Sequence, residues 1–302
     1  MWAIIKGGKM FKGSYVALVT PMYESGEIDY VSLQHLVEYH VKNGTHGIVS
    51  VGTTGESATL PFDEHIEVVN QTVKFANKRI KVIAGSGANS TSEAIELSQA
   101  LAGQGIDGFL SVVPYYNKPQ QRGMLAHFEA IADSTPLPLL LYNVPGRTVA
   151  DILCETVAVL SKHDRIVGIK DATGDLSRFH QLKALVSEDF LLLSGDDATG
   201  CEFLCMGGDG VISVTANIAP GMMSKMTEAA LAGDFALARQ INVRLNDLHR
   251  DLFIEPNPVM PKWALYKMGL IKDSFLRLPM VQPELNSQNE IENVLHALNT
   301  VS

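Results

Sequence analysis

Residues 139–174 read LLLYNVPGRTVADILCETVAVLSKHDRIVGIKDATG. Two short apolar runs, Leu139–Asn143 and Ile166–Lys170, flank a helical pattern that Asp151 can open, since its side chain satisfies free N–H groups at a helix start. Each run stays apolar on both faces until its end, as a parallel strand does with helices on one side and a packed core on the other. Tyr142 and Lys170 then break the pattern, one near the end of each run. A strand–helix–strand unit of this kind points to parallel pairing, and the polar residues mark the strand ends.

The unit repeats along the chain. Further strand candidates are Tyr15–Val19, Gly47–Val51, Lys81–Ala84, Gly108–Val113, Leu191–Ser194 and Val211–Val214, so the cycles number eight and end near Leu231. Asp29, Asp63 and Ser92 stand where the first three helices should be capped. Asn43-Gly44 and Gln104-Gly105 supply turns back to the sheet. An open doubly wound sheet also accommodates such alternation but usually needs fewer strands. Eight cycles predict a (β/α)8 TIM barrel over residues 10–232. Helical patterns at Phe235–Leu252, Pro258–Met268 and Asn289–Leu298 predict a C-terminal helical extension, 233–302, docked rigidly because no Gly/Ser-rich linker precedes it. Met1–Lys9 reads as a poorly ordered extension.

The formal charge of −9 and the lack of a basic run argue against nucleic-acid binding. No apolar run is long enough for a membrane span and no leader pattern opens the chain, so a cytoplasmic protein is expected. Cys201 and Cys205 lie four apart in a helical pattern. Without a nearby histidine, buried reduced thiols are expected for these and Cys154 rather than a metal site.

Alternation places Ile166, Gly168 and Lys170 on one face of their strand and Val167 and Ile169 on the other, helix-facing side. Lys170 then points into the barrel at its C-terminal mouth. Burying a cation there is costly, which favours the free, nucleophilic amine. The plainer reading is a strand-end lysine that reaches solvent or pairs with Asp171. Tyr142 ends the neighbouring strand and can face the same mouth, where a phenol beside an amine could shuttle protons; a tyrosine there can equally be a core anchor. After the second strand, Gly52-Thr53-Thr54-Gly55-Glu56-Ser57 offers hydroxyls and backbone N–H groups able to hold a carboxylate; the alternative is a plain glycine-rich turn. It lacks the lysine of a nucleotide phosphate loop. Tyr115 and Tyr116 follow the fourth strand, and adjacent residues of this kind cannot both face the mouth.

Taken in order, GSYVALVTPM (13–22), VSVGTTGESATL (49–60), VIAGSGAN (82–89), PYYNKP (114–119), LYNVPGRT (141–148), VGIKDATGD (167–175), LLSGDD (192–197), GGDGVISVTAN (207–217) and EPNPVMPKWAL (255–265) strongly resemble the dihydrodipicolinate synthase family. The resemblance implies a Schiff base between pyruvate and Lys170, and Tyr142 as proton relay with Thr53 as its hydrogen-bonded partner. It implies that Tyr116 is donated to a neighbouring subunit's site in a homotetramer, a dimer of dimers. Thr53 and Thr54 would cradle the pyruvate carboxylate, Arg147 would receive the carboxylate of L-aspartate-4-semialdehyde, and Gly195 and Ile212 would bound the pocket. No metal and no organic cofactor would be needed. N-acetylneuraminate lyases and 2-keto-3-deoxy sugar acid aldolases share the barrel and the lysine. Arg147 favours the synthase, because a guanidinium suits a carboxylate better than a polyhydroxylated chain. A non-catalytic sensor on the same barrel would be expected to lose Lys170 or the relay.

Lysine-inhibited members of that family are expected to bind L-lysine at positions matching Ser57, Ala58, His65, Asn89, Glu93 and Tyr115. Phe62 departs from the pattern, standing where sensitive relatives often carry a second imidazole. Its ring can still offer a π face to an ammonium. The alternative for Glu93 is simply a favourable carboxylate in a helix's first turn.

Overall fold

The computed structural model describes residues 10–298, and Met1–Lys9 lie outside them. Eight strands, β1 (Gly13–Ala17), β2 (Gly47–Ser50), β3 (Lys81–Gly85), β4 (Gly108–Val112), β5 (Leu139–Asn143), β6 (Ile166–Asp171), β7 (Leu191–Ser194) and β8 (Gly210–Ser213), pair in sequence order into a closed barrel. Every pairing is parallel, including β8 with β1. The expected barrel is therefore present, with strand limits within two residues of the sequence reading.

The helices are α1 (Tyr30–Lys42), α2 (Phe62–Ala76), α3 (Thr91–Ala102), α4 (Gln121–Asp133), the single turn α5 (Pro145–Thr148), α6 (Cys154–Leu160), α7 (Leu176–Leu185), α8 (Asp197–Cys205) and α9 (Pro220–Leu231). Three more, α10 (Phe235–Asp251), α11 (Val259–Lys267) and α12 (Leu285–Ala297), form the C-terminal extension. None among the described residues is long and apolar enough to cross a membrane.

Alternation along each strand divides the core into two layers. Leu139, Leu141, Ile166 and Ile169 face the helices. Tyr15, Val49, Ile83, Leu110, Leu140, Val167, Leu191, Leu193 and Ile212 fill the interior. Gly47 shows how tight that filling is: a Cβ there would lie 1.9 Å from the Tyr15 ring. Val167 corrects the strict alternation read from sequence, since it points inward and not toward the helices. The cause is a register shift, with Leu139 opposite Ile166 but Leu140 opposite Gly168. Lys170 still faces inward because the slip occurs before it.

Capping also differs from expectation. Asp29 accepts from Val31 N and Ser32 N as predicted. Ser90, not Ser92, caps α3. Asp63 lies inside the first turn of α2, where its charge complements the dipole. Asp151 precedes α6 and accepts from Asn143 Nδ2 at 2.8 Å instead.

Candidate active site

Lys170 lies near the C-terminal end of β6 and is only 6% exposed. The parallel register sets it beside Tyr142 on β5, and its Nζ is 4.1 Å from the centroid of the Tyr142 ring. Asp171 is engaged elsewhere, accepting from Arg178 Nε at 2.7 Å and from Thr173 Oγ1 at 2.5 Å. Lys170 makes no ion pair among the described residues. Its burial therefore serves no structural salt bridge, and the plainer reading of a lysine paired with Asp171 does not hold.

Space for the amine depends on Gly195, directly after β7. A Cβ at that position would stand 2.6 Å from Lys170 Cε, 3.0 Å from its Cγ and 2.8 Å from Ala172 Cβ. These are well inside carbon–carbon contact distance. Ile212, 1% exposed on β8, packs in the barrel interior.

The loop after β2 is built under strain. Val51 has φ +53° and Glu56 φ +60°, a region that costs non-glycine residues about 1–3 kcal/mol each. The backbone N–H groups of Gly55, Glu56 and Ser57 turn back onto the carbonyls of Gly52 and Thr53. Those of Thr53 and Thr54 meet no acceptor among the described residues, as an anion cradle requires. Thr54 is buried, and its Oγ1 accepts from Asn257 Nδ2 at 2.9 Å. The hydroxyls of Thr53 and Tyr142 make no hydrogen bond to each other in this structure.

The C-terminal extension holds the loop in place. Lys262 Nζ reaches Glu56 Oε1 at 2.5 Å, with side-chain exposures of 0% and 2%. Burial pushes the Lys262 ammonium below the usual lysine range, and the Glu56 charge opposes that shift. Arg277 N donates to Glu56 Oε2 at 3.1 Å, and the Arg277 guanidinium grips Glu64 and the carbonyls of Thr59 and Gly26. Arg147, exposed on α5, donates from Nη2 to the Asn257 carbonyl at 3.2 Å.

The remaining predicted residues lie on neighbouring loops. Tyr116 is 89% exposed with φ +72°, and Tyr115 is 40% exposed. Ser57 and Ala58 form a short 3-10 turn after β2, while His65 lies in α2 and Glu93 in the first turn of α3. His65 Nε2 contacts the Gly85 carbonyl at 2.8 Å, and Asn117 Nδ2 donates to the Asn89 carbonyl at 2.8 Å. Burial holds the His65 imidazole down at about 4, so it is neutral at neutral pH. These positions follow β2, β3 and β4 in the chain.

Cys201, Glu202 and Cys205 offer ligand atoms within 4.8 Å of one another. The carboxylate is already held by Arg239 at 2.7 and 2.8 Å, and burial pushes the Cys201 thiol up to about 12, which disfavours a metal-binding thiolate. Cys205 is half-buried rather than buried as expected.

Asn257, Lys262 and Arg277 were not singled out as site residues by sequence reasoning. Lys262 did leave a signal, as one charge inside the apolar stretch VMPKWAL.

The Dihydrodipicolinate synthetase family model matches residues 10–298. A 4-hydroxy-tetrahydrodipicolinate synthase of Pseudoalteromonas atlantica is 69% identical over 286 residues, covering 95% of this chain and 98% of that protein. The chloride-inhibited dihydrodipicolinate synthase of Acinetobacter baumannii, solved with pyruvate, superposes with a TM-score of 0.94 at 48% identity, over 96% of this chain and 99% of that one. The dihydrodipicolinate synthase of Cyanidioschyzon merolae, solved with lysine bound, gives 0.93 at 38% identity, over 97% and 99%. With the barrel, the buried strand-end lysine and matches of this length, the chain belongs to the dihydrodipicolinate synthetase family.

Proposed function

We propose that this chain is a lyase that condenses pyruvate with L-aspartate-4-semialdehyde to give 4-hydroxy-tetrahydrodipicolinate, the step that commits carbon to diaminopimelate and lysine biosynthesis. The observation that carries the reading is Lys170, buried without an ion pair among the described residues, over the Tyr142 ring in the space that Gly195 leaves.

The free amine of Lys170 adds to the pyruvate ketone, and loss of one water gives the protonated imine. That imine takes up the electron pair as a methyl proton leaves, forming an enamine. The enamine carbon attacks the aldehyde, whose oxygen gains a proton. The semialdehyde's amino group then attacks the imine carbon, closes the ring and expels Lys170. The imine is the electron sink throughout, so these steps call on no cofactor. Tyr142, Thr53 and Tyr116 form the proton relay, and Thr53 and Thr54 hold the pyruvate carboxylate through a hydroxyl and the two free N–H groups. The relay contacts close when substrate enters, since catalytic hydrogen bonds commonly tighten on binding. Arg147 receives the second carboxylate, and Gly195 and Ile212 bound the pocket.

Borohydride added with pyruvate should leave a reduced adduct on Lys170, and Lys170→Arg should abolish it. An adduct on another lysine overturns the assignment. Arg147→Ala should reduce kcat/KM for the semialdehyde by roughly ten- to a hundredfold, from the worth of a charge-assisted hydrogen bond. Unchanged kinetics would favour a sugar-acid lyase.

The barrel, 10–232, and the C-terminal extension, 233–302, work as one cytoplasmic catalytic unit, with Asn257, Lys262 and Arg277 bracing the loop that carries Thr54. An exposed Tyr116 in a strained backbone suits a residue covered by a neighbouring subunit, which supports a homotetramer built as a dimer of dimers. L-lysine is the proposed effector, held by Ser57, Ala58, His65, Asn89, Glu93 and Tyr115. The exposed Glu93 carboxylate and the neutral His65 both suit a site for an ammonium group.

A further inference from the structure

Asn257 touches both groups assigned above to a substrate carboxylate. Its Nδ2 donates to Thr54 Oγ1 at 2.9 Å, and its backbone carbonyl accepts from Arg147 Nη2 at 3.2 Å. Thr54 and Asn257 are 2% and 4% exposed, so neither hydrogen bond partner is readily exchanged for water. The Asn257 Oδ1 is buried with no hydrogen-bond partner among the described residues.

A threonine hydroxyl has one proton to give and two lone pairs to offer. When Oγ1 accepts from an amide N–H, its own proton cannot be directed at that amide. The proton is left for another acceptor. Were the amide turned the other way, Thr54 would donate to Oδ1 and lose the proton it could offer a substrate.

We propose that Asn257 is a positioning residue that fixes the Thr54 hydroxyl as a hydrogen-bond donor toward the pyruvate carboxylate. The proposal rests on the function assigned above. Its backbone and side chain act separately: the carbonyl steadies Arg147 whatever the side chain, whereas only the amide sets the direction of the Thr54 proton. The position is itself well braced, because the Glu56–Lys262 ion pair ties the Thr54 loop to α11, which begins two residues after Asn257.

The test uses the full chain with Asn257→Ala and Asn257→Asp. The pyruvate concentration giving half-maximal borohydride trapping at Lys170 is measured beside KM for both substrates. Asn257→Ala should raise the pyruvate value about tenfold, the usual worth of one such hydrogen bond near a charge. Asn257→Asp should raise it on the order of a hundredfold, because a carboxylate takes the Thr54 proton and adds a like charge beside the substrate. KM for the semialdehyde should move less than about threefold, since Arg147 keeps its backbone partner. In a Thr54→Val background, Asn257→Ala should add no further loss.

An Asn257→Asp enzyme with native pyruvate affinity overturns the proposal, since it would show that an acceptor suffices. Equal rises for both substrates, or losses that add in the double variant, overturn it too. If Asn257→Asp does not fold, native affinity in Asn257→Ala is the refuting result. Trapping of the unmodified chain at Lys170 keeps the two readings apart: without it the assigned function fails, and with it only the role of Asn257 is at issue.

Discussion

Gly195→Ala adds one methyl group where the structure leaves least room. The new Cβ would lie 2.6 Å from Lys170 Cε and 2.8 Å from Ala172 Cβ. Unstrained carbon contacts lie near 3.5–4.0 Å, so a displacement of roughly 1 Å is needed. Ala172 has no side-chain torsion with which to retreat, so the lysine tail moves and carries Nζ away from the Tyr142 ring. A shift of about 1 Å at a nucleophile costs on the order of a hundredfold in rate, close to 2.7 kcal/mol. Gly195 does not have a positive φ, so alanine meets no backbone obstacle there. Overpacking by one methyl costs about 1–3 kcal/mol of stability, which for a chain this long lowers Tm by roughly 2–5 °C. The enzyme should therefore stay folded while kcat/KM falls about a hundredfold. The assay is the rate of borohydride-trapped adduct formation at Lys170, followed by mass spectrometry with a melting curve on the same sample. Native-rate trapping by a folded Gly195→Ala protein would refute the view that this glycine exists to seat the amine.

Three further outcomes test other parts of the molecule. Lys262→Met strands Glu56 in the core and should cost about 3–5 kcal/mol of stability in denaturant unfolding, with Lys262→Met/Glu56→Gln recovering much of it; no loss in the single variant would mean that the pair does not brace the loop. Tyr116→Phe and Lys170→Ala proteins, each impaired alone, should regain activity on mixing, and demonstrated subunit exchange without recovery would show each site to be self-contained. L-lysine, but not D-lysine, should inhibit partially at saturating pyruvate and lose that effect in Glu93→Ala with turnover nearly intact, whereas a flat titration of the unmodified chain would mean that Phe62 leaves no ammonium site.

The barrel was legible because its strands are short, apolar and regularly spaced, and because hydrophobic periodicity survives small boundary errors. Finer features depended on geometry that residue type alone does not set. Val167 turns inward only because β6 slips one residue against β5, which no alternation rule can show. Ser90 and Ser92 are both good cap residues, and the choice between them follows from which one has extended backbone at the helix start. Lys170 and Tyr142 could be paired from sequence because neighbouring parallel strands end at the same mouth. Gly195's role could not be derived from spacing, since its meaning lies in the Lys170 tail beside it.

What sequence left least visible is why the Thr54 loop keeps its shape. Val51 and Glu56 occupy conformations that disfavour them, so the loop cannot be explained by local preference. Its supports come from Asn257, Lys262 and Arg277, which are 203, 206 and 221 residues away from the groups they hold. A buried ion pair seldom improves stability over an apolar pair of the same shape, but it is exacting about where its partners sit. Placing one between Glu56 and Lys262 makes the loop's conformation depend on correct docking of α11. Among the described residues the Thr53 and Thr54 N–H groups meet no acceptor, and on the proposal above Asn257 sets where the Thr54 proton goes. The C-terminal segment therefore braces this loop although Lys170 and Tyr142 both lie on the barrel, and a barrel cut at residue 232 would keep Lys170 while losing the supports of the loop proposed to hold the carboxylate.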